Sequence, residues 1–139
     1  GWRIAQERPF AVVQSAIEAL RREGTIFEPW PERGEAALTE WARRLAEDVA
    51  NASGAVVFTM DAALACCVAN KLTAIRGAAV TTVLQAQQAM KSLAANWLAV
   101  EMPGRSLFEV RQILKLAGTS HRVVPTDLET TLNAMGDSA

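Results

Sequence analysis

Glu7 and Asp61 are two carboxylates that each follow a short apolar run, Ile4-Ala5 and Ala55-Val56-Val57-Phe58. A carboxylate at such a place can act as the base in a proton transfer, provided its pKa suits the working pH. Each also has a more ordinary role. Asp61 precedes an apolar helical stretch, where an aspartate accepts the free N–H groups of a helix start. Glu7 can pair with Arg8 or with solvent. The thiols of Cys66 and Cys67 would be reactive if a helix N-terminus lowered their pKa. They lie more than a turn inside an apolar helical run, which favours buried, inert cysteines. His121 is the one histidine of the chain, so a multi-histidine metal site is excluded, and neither metal nor organic cofactor is expected.

The bulk composition narrows the classes further. The chain has 139 residues, 50% of them apolar and 21% charged, with a net charge of −1. That suits one folded domain with a sizeable core. A balance so close to neutral recruits neither nucleic acid nor an anionic membrane surface. No apolar run reaches the roughly 18 residues of a spanning helix. The opening residues lack the charged-then-apolar layout of a secretory signal. Adjacent cysteines rarely form a structural disulfide, and no second pair builds a framework. A reducing, cytoplasmic compartment is the expectation.

The elements that would position these side chains alternate along the chain. Arg3-Ile4-Ala5 reads as a first strand. Phe10, Val13, Ile17 and Leu20 mark a helix between Pro9 and Gly24. Thr25-Ile26-Phe27 reads as a second strand, and Pro29, Pro31 and Gly34 as a loop. Leu38, Trp41, Leu45 and Val49 stripe a second helix. Ala55 to Phe58, apolar on both faces, fits a central parallel strand. A helix over Ala62–Leu72 follows, then a strand over Arg76–Val80, a helix over Leu84–Leu93 and a strand over Trp97–Val100. Leu107, Val110, Leu114 and Ala117 stripe another helix, and a short last helix spans Pro125 to Asn133. The pattern predicts an α/β fold, a three-layer αβα sandwich with a Rossmann-like five-stranded parallel sheet in the order 2-1-3-4-5. The whole chain, 1–139, reads as one domain, with 119–139 a C-terminal extension suited to reach a partner subunit. The Ala62–Leu72 helix is apolar on every side. A sheet-covering helix normally shows water a polar face, so a homodimer or higher oligomer through this helix is expected.

In an open parallel sheet the ligand lies beyond the carboxyl ends of the strands, where the strand order reverses. For the predicted order that crevice lies between the first and third strands. It is flanked by Gln6, Glu7 and Arg8 on one side and by Thr59, Met60 and Asp61 on the other. Thr81, Thr82, Glu101 and Arg105 rim the same face.

The run Gly54 to Val80, GAVVFTMDAALACCVANKLTAIRGAAV, resembles the corresponding segment of type B ribose-5-phosphate isomerases and their galactose-6-phosphate isomerase relatives. Those proteins carry a strand, a glycine-rich turn and a small-residue helix ending Ala-Asn-Lys, then Gly-Ile-Arg and a strand. Ala69-Asn70-Lys71 and Ile75-Arg76 stand in those places. Asn96, ahead of Leu98-Ala99, resembles the family's Asn-Val-Leu-Ala, and the Phe10–Gly24 helix aligns as well. By order of elements the resemblance covers residues 2 to 118. It implies an aldose–ketose shift through an enediolate, in which a base moves a proton between neighbouring carbons. Backbone N–H groups of the glycine-rich turn hold the oxyanion, and arginines hold the phosphate. It also implies dimers in which each site borrows groups from its neighbour.

The sequence departs from that pattern at most of its working parts. The family's base is a cysteine at the end of the third strand or a glutamate early in the next helix, and Thr59 and Ala65 fall near those places. The glycine-rich turn becomes Thr59-Met60-Asp61-Ala62-Ala63. The Asp-His pair after the first strand becomes Glu7-Arg8, and Ser92 takes the place of a histidine ahead of Asn96. His121-Arg122 correspond to a C-terminal segment that reaches the neighbouring site. What the resemblance leaves is Asp61 or Glu7 as the catalytic candidate, with Arg8, Thr59, Met60, Asn96, Arg105, His121 and Arg122 as candidates for holding a sugar phosphate. Two functions are expected from it: a sugar-phosphate isomerase with a strongly altered site and weak or no ribose-5-phosphate isomerase activity, or a non-catalytic sugar-phosphate-binding or structural subunit partnering a catalytic paralogue.

Overall fold

A computed structural model describes residues 1–119 and 123–136. The elements run β1 (Trp2–Gln6), α1 (Ala11–Arg22), β2 (Glu28–Trp30), α2 (Leu38–Val49), β3 (Gly54–Thr59), α3 (Ala62–Ala69), β4 (Gly77–Val80), α4 (Val83–Leu93), β5 (Trp97–Glu101), α5 (Leu107–Thr119) and α6 (Thr126–Gly136). All strand pairs are parallel. One face of the sheet buries Val56, Phe58, Leu98 and Val100 under α1, α4 and α5. The other buries Val57, Trp97 and Ala99 under α2 and α3. This is the expected αβα sandwich, and its layers follow from strand residues that are apolar on both faces.

The strand order is β2-β1-β3-β5-β4, so the last two strands exchange places relative to the expected 2-1-3-4-5. Burial explains the exchange. Trp97, Leu98, Ala99 and Val100 are all fully buried, whereas Ala79 of β4 is exposed. The strand that is apolar on both faces goes inside, and the short, small-residue strand takes the edge. The reversal between β1 and β3 is unaffected. The second strand also begins later than its expected place at Thr25–Phe27. Ile26 is 84% exposed, and the strand forms at Glu28–Trp30 instead. It contains Pro29, which an edge strand tolerates because one side of its backbone needs no ladder donor.

The β4 edge is closed by side chains. The Asn70 carboxamide accepts the Gly77 N–H at 2.8 Å and donates to the Gly77 carbonyl at 3.1 Å, in the manner of a neighbouring strand. Gln85 accepts the Thr81 N–H at 2.7 Å. Asn70 caps the end of α3 with a right-handed backbone, and Ala94 after α4 is the left-handed residue. Arg76 donates to the carbonyls of Leu93 and Ala94 at that helix end, where a cation also complements the helix dipole.

The fully apolar α3 meets the domain on one side only. Ala62, Ala65, Cys66 and Ala69 are buried, while Ala63, Leu64 and Cys67 are exposed. Cys67 therefore departs from the expected burial, because the chain alone supplies no second layer over α3. Cys66 keeps to it. Burial pushes its thiol up, an effect that the neighbouring Cys67 reinforces and the Asn70 amide offsets only in part.

Candidate functional site

The crevice of interest opens where β1 and β3 end side by side. Pairing continues one residue past β1, because the Glu7 N–H donates to the Phe58 carbonyl at 2.8 Å. The loop after β2 then returns over this point, and the Arg33 N–H donates to the Glu7 carbonyl at 3.1 Å. With its backbone held on both sides, Glu7 directs its side chain across to the end of β3. Oε1 accepts the Thr59 hydroxyl at 2.8 Å and the Met60 N–H at 2.9 Å. Oε2 lies 3.1 Å from Arg33 Nε. Glu7 is 7% exposed, so this is a buried carboxylate that accepts two hydrogen bonds on one oxygen and faces a guanidinium with the other.

Three further N–H groups here are occupied in the same way. The Asp61 N–H donates to Thr59 Oγ1 at 3.1 Å. The Ala62 N–H donates to Glu101 Oε2 at 2.7 Å, and Glu101 sits opposite Thr59 in the β3–β5 pairing. The Leu64 N–H donates to Asp61 Oδ1 at 3.1 Å, which makes Asp61 the N-cap of α3. Four acceptors, all supplied by the chain, thus take the amide hydrogens of Met60, Asp61, Ala62 and Leu64. In a parallel α/β sheet these are the groups that would otherwise meet an anionic ligand.

Burial alone would raise the Glu7 carboxyl. The Met60 N–H, the Thr59 hydroxyl and the charges of Arg33 and Arg8 outweigh it and hold the group below its ordinary value. A carboxylate so stabilised stays ionised at neutral pH and is a weak base. The ion pair falls to Arg33 rather than to Arg8 or solvent, because the β2–α2 loop carries Arg33 back over the end of β1.

The other candidate residues do not all converge. Arg8 is exposed at the rim, with Nη2 3.3 Å from Met60 Sδ and its guanidinium 5.7 Å above the Phe10 ring. Arg105 donates to the Thr81 carbonyl and lies 3.3 Å from Glu109 Oε2, on the same edge of the sheet but toward β4. Asn96 lies at the opposite, amino end. Its carboxamide accepts the Arg76 N–H at 2.7 Å and donates to the Ala74 carbonyl at 2.8 Å. It fixes the connector into β4 and faces away from the crevice. His121 and Arg122 lie outside the described residues. A cavity of about 340 Å³ between α3 and β4 is lined by Ala62, Ala63, Val80, Thr81, Gln85 and Glu101, and a larger one of about 360 Å³ lies between α1 and β2. Among the described residues, no group of three or more His, Cys, Asp or Glu could hold a metal ion, and no helix is long and apolar enough to cross a membrane.

Arg33 is the residue the sequence reading missed. The available signal was a lone arginine in a Pro/Gly loop just past the second strand, where the neighbouring strand end carries a carboxylate.

No family model matches the sequence, and no curated protein sequence matches it. Solved structures do. Ribose-5-phosphate isomerase B of Mycoplasma genitalium, with bound ribulose 5-phosphate, superposes with a TM-score of 0.77 at 16% identity, over 98% of this chain and 96% of that one. The type B enzyme of Trypanosoma cruzi gives 0.75 at 21% identity over 99% of both chains. The Thermotoga maritima enzyme gives 0.78 at 15% identity, over 98% and 97%. Across nearly its whole length, and at low sequence identity, this chain has the fold of the type B ribose-5-phosphate isomerases.

Proposed function

We propose that this chain is of sugar-phosphate isomerase lineage, has a site too altered to support the ribose-5-phosphate shift, and works as a non-catalytic sugar-phosphate-binding or structural subunit. One observation carries the reading: the turn after β3 spends four amide hydrogens, those of Met60, Asp61, Ala62 and Leu64, on the protein's own Glu7, Thr59, Glu101 and Asp61. An enediolate needs donors that are unoccupied when it forms. The bound ribulose 5-phosphate in one structural neighbour makes a sugar phosphate the ligand class to test. Arg8 is the cation best suited to it, being exposed at the rim of the crevice, where its charge already acts on Glu7.

A thermal-shift panel of sugar phosphates tests the ligand. Saturable stabilisation of the wild type, abolished in Arg8→Ala, is the expected result. A flat panel would assign the chain a structural role only.

The uncovered side of α3 supports association with a second subunit, identical or paralogous. Leu64 and Met60 are 38% and 36% exposed, and Ala63 and Cys67 beside them are exposed as well. An apolar face of this kind marks an interface when contiguous. Sedimentation of the wild type is expected to show a dimer or larger species, and Leu64→Glu a monomer of native circular dichroism. A monomeric wild type at tens of micromolar would refute self-association and leave the paralogue.

A further inference from the structure

We infer that the Glu7 carboxylate is a tethered ligand, occupying a cradle on this chain that is built to hold a small planar oxyanion such as a carboxylate. The inference goes beyond the proposed function and stands on the geometry of this cradle. Three features separate the arrangement from an ordinary buried ion pair. The donors come from two segments far apart in sequence: the Thr59 hydroxyl and the adjacent Met60 N–H at the end of β3, and Arg33 in the β2–α2 loop. They converge on one carboxylate, a number and type of donors that would serve a free anion equally well. The cradle also sits at the carboxyl end of the sheet beside the reversal of strand order, where this architecture receives ligands.

The third feature is an imperfection. Arg33 Nε is buried and makes no hydrogen bond, although Glu7 Oε2 is only 3.1 Å away. Its N–H is within ion-pair reach of the carboxylate and is not aligned with it. The Glu7 carboxylate is held through Oε1 by Thr59 and Met60, on a side chain whose backbone is itself bonded to Phe58 and Arg33, and this leaves Oε2 off the line of the guanidinium N–H. An untethered carboxylate has that freedom. Removing the side chain beyond Cβ should therefore leave a site with two unsatisfied donors and one cationic wall, and an external carboxylate should fill it. In the intact protein Glu7 competes with any such anion at an effective concentration that free ligand does not match, so the wild type is closed to it.

Formate is the probe, with chloride at equal ionic strength as control. Thermal unfolding of Glu7→Ala is expected to rise saturably with formate, by about 5 °C at ten times the half-saturating concentration. The wild type should respond to formate and chloride alike. Arg33→Ala in the Glu7→Ala background should lose most of the response. Glu7→Ser opens the same space with a smaller loss of polarity and should respond as Glu7→Ala does. If neither variant folds unaided, recovery of the native circular dichroism in formate but not in chloride is the expected result. Equal responses to formate and chloride, or no recovery in either, would overturn the tethered-ligand reading. That failure would leave the proposed function standing. Conversely, isomerase turnover by the wild type would refute the proposed function without affecting the formate result.

Discussion

Supplied with ribose 5-phosphate, the purified protein is expected to produce no ribulose 5-phosphate above the uncatalysed rate. Three independent features of the crevice lead to this result. The first is the base. Glu7 is the buried carboxylate of the crevice, and it is held below its ordinary pKa by the groups that satisfy it. A strongly stabilised carboxylate has little tendency to take a proton from carbon at neutral pH. Asp61 spends Oδ1 on the first turn of α3. Thr59 ends β3 with a hydroxyl that is already donor to Glu7 and acceptor from Asp61.

The second feature is the oxyanion. The Met60 and Ala62 amides face Glu7 and Glu101, so an enediolate would have to displace two carboxylates that repel it. The third is room, because Met60 and Asp61 carry side chains in a turn where bare backbone would admit a ligand closely. A missing base typically costs about 10²–10⁴ in rate and a missing oxyanion donor about 10²–10³. Together these place turnover below the reach of a coupled assay. Detectable conversion that disappears in Glu7→Gln or Asp61→Asn would overturn the argument and assign the base at once.

How much of this was legible depends on the range of each interaction. The central strand could be read because Ala55 to Phe58 are apolar without alternation, and all four are fully buried. The capping role of Asp61 was legible for a similar reason, being decided within three residues of sequence. Longer-range relations were not. Exchange of β4 and β5 depends on which strand the helices can cover on both faces, and Gly77–Val80 and Trp97–Val100 look alike until burial is known. The three-residue displacement of β2 arises because Ile26 faces solvent, which no local pattern reports. The Glu7–Arg33 pair joins residues 26 apart across an edge strand, and local charge pattern pointed to Arg8 instead. Asn96 shows the opposite limit. Its neighbourhood resembles a known pattern, yet its carboxamide fixes the entry to β4 at the far end of the sheet. A resemblance of that kind carries the fold with it, and the site must be read from the atoms.

Substitution of Glu7 by Gln should destabilise the protein by about 1–3 kcal/mol at neutral pH, the cost of weakening charged hydrogen bonds around a buried group. A buried pair broken on one side can cost more, but Arg33 is 35% exposed, and solvent screens part of its loss. The dependence on pH identifies the cause. The folded-state value of Glu7 is depressed, so its ionised form contributes stability that is fully present above the unfolded carboxylate value of about 4.3. That contribution is lost as the pH falls through the lower, folded value. Wild type and Glu7→Gln should therefore differ most at pH 7, and their urea midpoints should converge in the acid range as the wild-type carboxylate takes up its proton. A gap that stays constant from pH 7 to strong acid would mean that the glutamine is merely a poor fit, and that charge contributes nothing to holding the crevice closed. Convergence would show that the negative charge itself holds Thr59, Met60 and Arg33 together, which ties the stability of the fold to the same contact that closes the crevice to an enediolate.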